Sequence, residues 1–219
     1  MRYTKDEIRK GMMLYAVTDR RWLREGESLL SVCQKVLANG ATFLQIREKD
    51  LDAACFEAEA AELKALCARC GVPFVVNDSV EIALAIDADG VHVGQSDIRG
   101  RDIRSLMGPD KILGISAGTV EEAVAAERAG ADYIGVGAVF GTSTKKNARN
   151  LTVQTLREIT DAVSVPVVAI GGINGQNLMG LKDSGVDGVA MVSAIFAAED
   201  PGKATAELLT LTREMVSHG

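Results

Sequence analysis

A chain of 219 residues, 47% hydrophobic and carrying 22 glycines, is long enough to bury one large core and fits a soluble α/β protein with many tight turns. Its formal net charge of −6 argues against nucleic acid or an anionic membrane as the main ligand. No long apolar run occurs and residues 1–10 are polar, so no membrane partner and a cytoplasmic location are expected.

Apolar, β-branched runs recur at residues 14–18, 43–47, 73–77, 90–94, 112–116, 133–139, 165–170 and 188–193. Segments of helical period or composition separate them, among them 53–70, 120–129 and 153–162. Short apolar runs alternating with amphipathic helices predict a parallel sheet of βαβ units. Eight of them predict an α/β fold of one domain, a (β/α)8 TIM barrel over residues 1–219 with 1–13 as an N-terminal extension. A recurring turn supports that count. Asn39-Gly40-Ala41-Thr42, Ala88-Asp89-Gly90, Gly130-Ala131-Asp132 and Gly185-Val186-Asp187 stand before strands two, four, six and eight. The rival, an open doubly wound sheet, lacks a G-x-G-x-x-G after the first strand, which ends in Val17-Thr18-Asp19.

Polar residues cluster where successive strands end, the side on which barrel enzymes keep their chemistry. In strand two, Gln45, Arg47 and Lys49 are two apart and would share one face. Taken alone, that pattern fits a strand end opening into solvent as well as it fits a phosphate site. Strand three ends in Asn77-Asp78, strand four leads into Gln95-Ser96-Asp97 and strand five ends at Ser116. Asp97 by itself reads as a helix cap. With Asp78 on the neighbouring strand end and Arg47, Lys49 and Asn77 close by, the two carboxylates read better as hard oxygen ligands for Mg²⁺ shared with a diphosphate.

Strand six runs into a loop, Gly137 to Asn147, that is rich in hydroxyls and amines. Its stretch from Gly141 to Asn150 is expected to be mobile without ligand and to close over an anion through Lys145; a solvated surface loop is the plainer alternative. Strands seven and eight end in Gly171-Gly172-Ile173-Asn174 and Met191-Val192-Ser193-Ala194, where barrels commonly bind a second phosphate. Two anion sites across one mouth imply two phosphorylated small molecules, or one with a phosphate at each end. His92, mid-strand between valines, reads as a packed, hydrogen-bonded core residue. Cys67 and Cys70 form a C-x-x-C near a helix end without further ligands at zinc spacing, so the four cysteines read as reduced thiols packed on helix faces. No nucleophile–base arrangement can be assembled. The site is built to stabilise charge.

Gln45-x-Arg47-x-Lys49, Asn77-Asp78, His92-Val93-Gly94-Gln95-x-Asp97, Ser116, Thr142-x-Thr144-Lys145, Gly171-Gly172 and Val192-Ser193-Ala194-Ile195 together resemble the thiamine-phosphate synthase family, in order, from Leu14 to Ile195. The resemblance implies a (β/α)8 barrel that joins 4-amino-2-methyl-5-(diphosphooxymethyl)pyrimidine to a thiazole phosphate, giving thiamine phosphate and diphosphate with Mg²⁺. By motif, Gln45 would hold the pyrimidine. Arg47, Lys49, Asn77, Ser116 and Lys145 would hold its diphosphate, with Arg47, Lys49, Ser116 and Lys145 as the catalytic set. Asp78 and Asp97 would bind Mg²⁺, while Thr142, Ser143, Thr144, Gly172, Val192 and Ser193 would hold the thiazole phosphate. Phosphorylated small molecules are thus the expected partners, and a homo-oligomer is compatible with the sequence. Two departures stand out: Ala138 and Gly141 replace the family's prolines, which should loosen the loop, and a histidine often seen near Ser116 is missing. An isomerase of the same barrel family, acting on the thiazole phosphate, is the nearest alternative, and a non-catalytic phosphate-ligand sensor a third.

Overall fold

The computed structural model describes residues 3–98, 100–141 and 151–217. Eight parallel strands close into a barrel in sequence order, with β8 pairing back onto β1. They are β1 Leu14–Val17, β2 Phe43–Ile46, β3 Phe74–Asn77, β4 Gly90–Val93, β5 Ile112–Ala117, β6 Tyr133–Gly137, β7 Val167–Ile170 and β8 Gly188–Met191. Helices occupy the connections: α2 Leu29–Ala38, α3 Ala53–Cys70, α4 Val80–Ala85, α5 Ile103–Met107, α6 Val120–Arg128, α7 Val153–Ala162, α8 Ser193–Phe196 and α9 Pro201–Val216. Within the expected extension, α1 Lys5–Gly11 opens with a Thr4–Glu7 capping box.

Alternation along the strands sorts the core into two layers. Leu14, Ala16, Leu44, Ile46, Phe74 and Val76 pack outward with the helices, whereas Tyr15, Val17, Phe43 and Val75 belong to the inner cluster. Ile8 and Met12, from α1 and its C-cap, join that inner cluster. Strand buried on both faces explains why the apolar runs are continuous in sequence. Most helices start where a short polar side chain can cap them: Ser28, Asp52, Ser79, Thr119, Thr152 and Asp200 each accept a hydrogen bond from a backbone N–H in the first turn.

The recurring turn has a defined task. Oxygens of Thr42, Asp89, Asp132 and Asp187 accept the backbone N–H of Leu14, Phe74, Leu113 and Val167 at 2.8, 2.9, 2.8 and 2.8 Å. Each even strand is thereby tied, at its entry, to the start of the odd strand before it. A two-strand repeat in sequence becomes a four-fold set of locks around the N-terminal rim.

The strands are mostly shorter than their apolar runs. β2 stops at Ile46, so Arg47 and Lys49 lie beyond it instead of continuing its inner face; the Arg47 N–H turns to the Thr18 hydroxyl at 2.9 Å. β8 ends at Met191, and Ser193 starts α8. Among the thiols only Cys33 and Cys67 are packed as expected, while Cys55 and Cys70 are exposed; all four are free. Among the described residues, no helix is long and apolar enough to cross a membrane.

Candidate active site

The C-terminal mouth of the barrel holds a cavity of about 1040 Å³. On the arc from β2 to β5 its wall includes Gln45, Arg47, Lys49, Asn77, Asp78, Asp97 and Ser116. On the arc of β7 and β8 it includes Gly172, Val192 and Ser193. Every predicted site residue within the described chain therefore reaches one cavity. Thr142, Ser143, Thr144 and Lys145, with the rest of the loop through Asn150, lie outside the described residues.

Charge on the first arc is partly paired. The Lys49 ammonium meets the Asp78 carboxylate at 2.6 Å. Asp78 sits immediately after β3 with a left-handed φ of 63°, a conformation that Asp and Asn tolerate better than most side chains. Its N–H is fixed by the His92 carbonyl at 2.8 Å, which ties the ends of β3 and β4 together. Asp97 does not cap the next helix; Asp102 does that, and Asp97 turns back to accept the Gly94 N–H at 2.9 Å. Two carboxylates from adjacent strand ends, both on the cavity wall, are hard oxygen donors of the kind Mg²⁺ takes. No group of three or more His, Cys, Asp or Glu side chains among the described residues could hold a metal ion. These two carboxylates fit Mg²⁺ on the condition that ligand oxygens complete its shell.

Behind the cations lies a second layer that the sequence did not disclose. Glu48, between Arg47 and Lys49, is buried and accepts the Arg20 guanidinium at 2.8 Å, while Arg20 also reaches Glu59 at 2.5 Å. Burial pushes the Glu48 carboxyl above the ordinary glutamate value, against the pull of Arg20. Burial also works against the charge on Asp19, yet the Arg21 hydrogen bonds, helped by the charges of Arg21 and Arg47, hold its carboxyl below the ordinary value. Anchoring Glu48 inward fixes the backbone from which Arg47 and Lys49 reach the cavity.

The second arc is backbone-rich. Gly172 has a φ of +68°, and a Cβ there would sit 2.0 Å from the Gly141 carbonyl oxygen, so only glycine allows the two loops to approach this closely. The Asn177 amide donates to the Gly172 carbonyl at 2.8 Å and fixes the turn. The start of the preceding loop is held despite its missing prolines: the Val139 N–H bonds Ile170 at 3.2 Å and the Phe140 N–H bonds Gly171 at 3.1 Å.

Tyr15 and His92 also line the cavity. His92 is hydrogen-bonded as expected, through Nδ1 to the Tyr133 hydroxyl and Nε2 to Ser116 Oγ, both at 2.9 Å, but it faces the cavity as well as the core. Tyr15 was legible only as an inward position of β1; nothing nearby in sequence marks its hydroxyl as part of a site.

A parallel (β/α)8 barrel whose mouth carries cations, carboxylates and a close-approach glycine turn defines an enzyme acting on phosphorylated small molecules. Residues 14–195 match the family model described as thiamine monophosphate synthase. The chain is 48% identical over 201 residues to the thiamine-phosphate synthase of Desulfitobacterium hafniense strain Y51, covering 91% of this chain and 97% of that one. It is 45% identical over 195 residues to that of Clostridium tetani, covering 89% and 93%. Thiamine phosphate pyrophosphorylase from Pyrococcus furiosus superposes with a TM-score of 0.87 at 38% identity, over 96% of this chain and all of that one. The chain belongs to the thiamine monophosphate synthase family. It is a transferase that condenses the aminopyrimidine diphosphate with the thiazole phosphate to give thiamine phosphate and diphosphate. The isomerase alternative gains no support from these relatives.

Proposed function

We propose that the two arcs of the cavity divide the two substrates between them. Arg47, Lys49, Asn77 and Ser116 on the first arc, with Lys145 from the loop, hold the pyrimidine diphosphate, and Gln45 holds its ring. Gly172, Val192 and Ser193, with Thr142, Ser143 and Thr144, hold the thiazole phosphate. The observation that carries this reading is the placement of Lys49 against Asp78, with Arg47 on the same arc, and the tight glycine turn at Gly172 on the other. Asp78 and Asp97 would hold Mg²⁺, which when bound supplies charge neutralisation for the diphosphate.

The chemistry asks little of the protein by way of proton transfer. The C–O bond between the pyrimidine methylene and diphosphate breaks, and diphosphate leaves with the electron pair. The thiazole ring nitrogen forms the new C–N bond with its own lone pair and has no proton to lose. Arg47, Lys49 and Ser116 therefore act by stabilising charge on the leaving group, while the second arc holds the nucleophile in line. With an anion bound, Lys49 is shared between Asp78 and the diphosphate.

Incubating the pure protein with both substrates and Mg²⁺ tests the reading, the expected result being thiamine phosphate and diphosphate in equal amounts. Lys49→Ala should raise KM for the pyrimidine diphosphate and slow its ionisation. Ser193→Ala should act mainly on KM for the thiazole phosphate. Steady-state kinetics with each substrate varied in turn separates the two, and equal effects of both variants on both substrates would refute the partition.

A further inference from the structure

Five side chains from five strands or their ends form one continuous hydrogen-bonded chain across the barrel interior. The Gln45 amide nitrogen donates to the Tyr15 hydroxyl at 2.5 Å, and Tyr15 meets the Tyr133 hydroxyl at 2.8 Å. Tyr133 meets His92 Nδ1 at 2.9 Å, and His92 Nε2 meets Ser116 Oγ at 2.9 Å. The chain begins and ends on the cavity wall, at Gln45 and Ser116.

Its polarity follows from the Gln45 amide, whose nitrogen is the atom turned toward Tyr15, and from counting protons onward from there. Tyr15 is 1% exposed, accepts from Gln45, and must place its own single proton; Tyr133 is within reach to take it. Tyr133, fully buried, then accepts from Tyr15 and donates to His92 Nδ1. A neutral His92 whose Nδ1 accepts carries its proton on Nε2 and donates it to Ser116. Ser116 Oγ, already accepting, keeps its own proton to give into the cavity. Burial raises both phenols well above the ordinary tyrosine value, so their protons stay in place at any working pH.

The barrel makes room for this chain at specific cost. A Cβ on Gly114 would lie 2.3 Å from the Tyr133 hydroxyl and 2.5 Å from His92 Nδ1, and one on Gly135 would lie 3.1 Å from the His92 ring. Glycine on β5 and β6 is what lets the tyrosine and the histidine meet.

We propose that Tyr15, Tyr133 and His92 are positioning residues that hold Ser116 as a hydrogen-bond donor toward the substrate, with the Gln45 carbonyl left as an acceptor at the other end. The inference rests on the reading that Ser116 contacts the pyrimidine diphosphate. No net proton transfer is involved; the chain orients existing O–H and N–H bonds, and each aligned link strengthens the next.

Two measurements test it. Nitrogen-15 spectra of the labelled protein read the tautomer directly, since the chain has only two histidines and His218→Asn identifies the other. His92 is expected neutral with its proton on Nε2 at neutral pH; a proton on Nδ1, or a charged ring, would overturn the polarity, whatever the enzyme's activity. Tyr133→Phe, which keeps the ring and breaks the chain, should lower kcat on the order of tenfold with little change in KM for the thiazole phosphate. In a Ser116→Ala background the same change should have almost no further effect. An equal loss in both backgrounds means that Tyr133 acts through folding and defeats the proposal. Failure of the wild-type protein to release diphosphate would sink the substrate reading but leave the tautomer result standing.

Discussion

Replacing Asp97 or Asp78 with asparagine is expected to lower kcat/KM about 10²–10³-fold, the loss typical when one preorganised stabilising group is removed, while leaving the fold intact. Asparagine is the informative choice because it keeps what each carboxylate does structurally. At position 97 its amide oxygen still accepts the Gly94 N–H that Asp97 takes at 2.9 Å. At position 78 it tolerates the left-handed φ of 63° that would strain most other side chains. What it removes is the negative charge, and with it the hard anionic oxygen suited to Mg²⁺. The 2.6 Å contact between Lys49 and Asp78 sharpens the case at that position. Asp78→Asn also frees Lys49 from its counter-charge, so KM for the pyrimidine diphosphate should rise less than kcat falls. Activity titrated against Mg²⁺ checks the assignment, half-saturation moving to higher metal in both variants. A variant that melts lower yet keeps wild-type Mg²⁺-dependent turnover would show that its carboxylate is only structural.

Arg20→Met should destabilise the protein by about 3 kcal/mol at neutral pH, the lower part of the range for removing one partner of a buried ion pair. The lower part applies because the Arg20 side chain is 30% exposed, whereas that of Glu48 is 2% exposed. Without Arg20, Glu48 is left charged and buried near the Glu59 and Asp50 carboxylates, and Glu59 loses its partner as well. The pH dependence carries a sign that identifies the cause. Burial already raises the folded-state carboxyl of Glu48, so between its ordinary and its raised value the folded state binds more protons than the unfolded one. Stability from this group is therefore present at low pH and falls as pH rises through the raised value. Removing Arg20 raises that value further, so the deficit of the variant should shrink on acidification. Thermal melts of both proteins from neutral to acidic pH read it directly. A deficit that grows as pH falls would show that another group dominates. Because Glu48 sits between Arg47 and Lys49, the same variant should also raise KM for the pyrimidine diphosphate.

Much of this molecule could be read before any coordinates. Helices Ala53–Cys70 and Val153–Ala162 have the expected bounds, and all eight strands fall inside or beside their apolar runs. Local physics decides such features: strands buried on both faces must be apolar throughout, and a capping residue marks most helix starts within one turn of the chain. The lining of the candidate site was legible for a related reason. Barrel chemistry gathers at strand ends, so a polar residue just past an apolar run declares its place from sequence alone.

Contacts between distant strands were not legible. Alternation places Tyr15, Tyr133 and His92 on the inward faces of β1, β6 and β4, but it cannot say that their polar atoms meet. Tyr15 and Tyr133 are 118 positions apart and come together only because the barrel closes and its register sets their heights. The same holds for Glu48, which reads as one more charge in a charged run until Arg20 and Glu59 are seen to enclose it. Periodicity reports which face a residue occupies, and that was written into the sequence of this protein. Partnership across the interior depends on closure, and only the tertiary structure decided it.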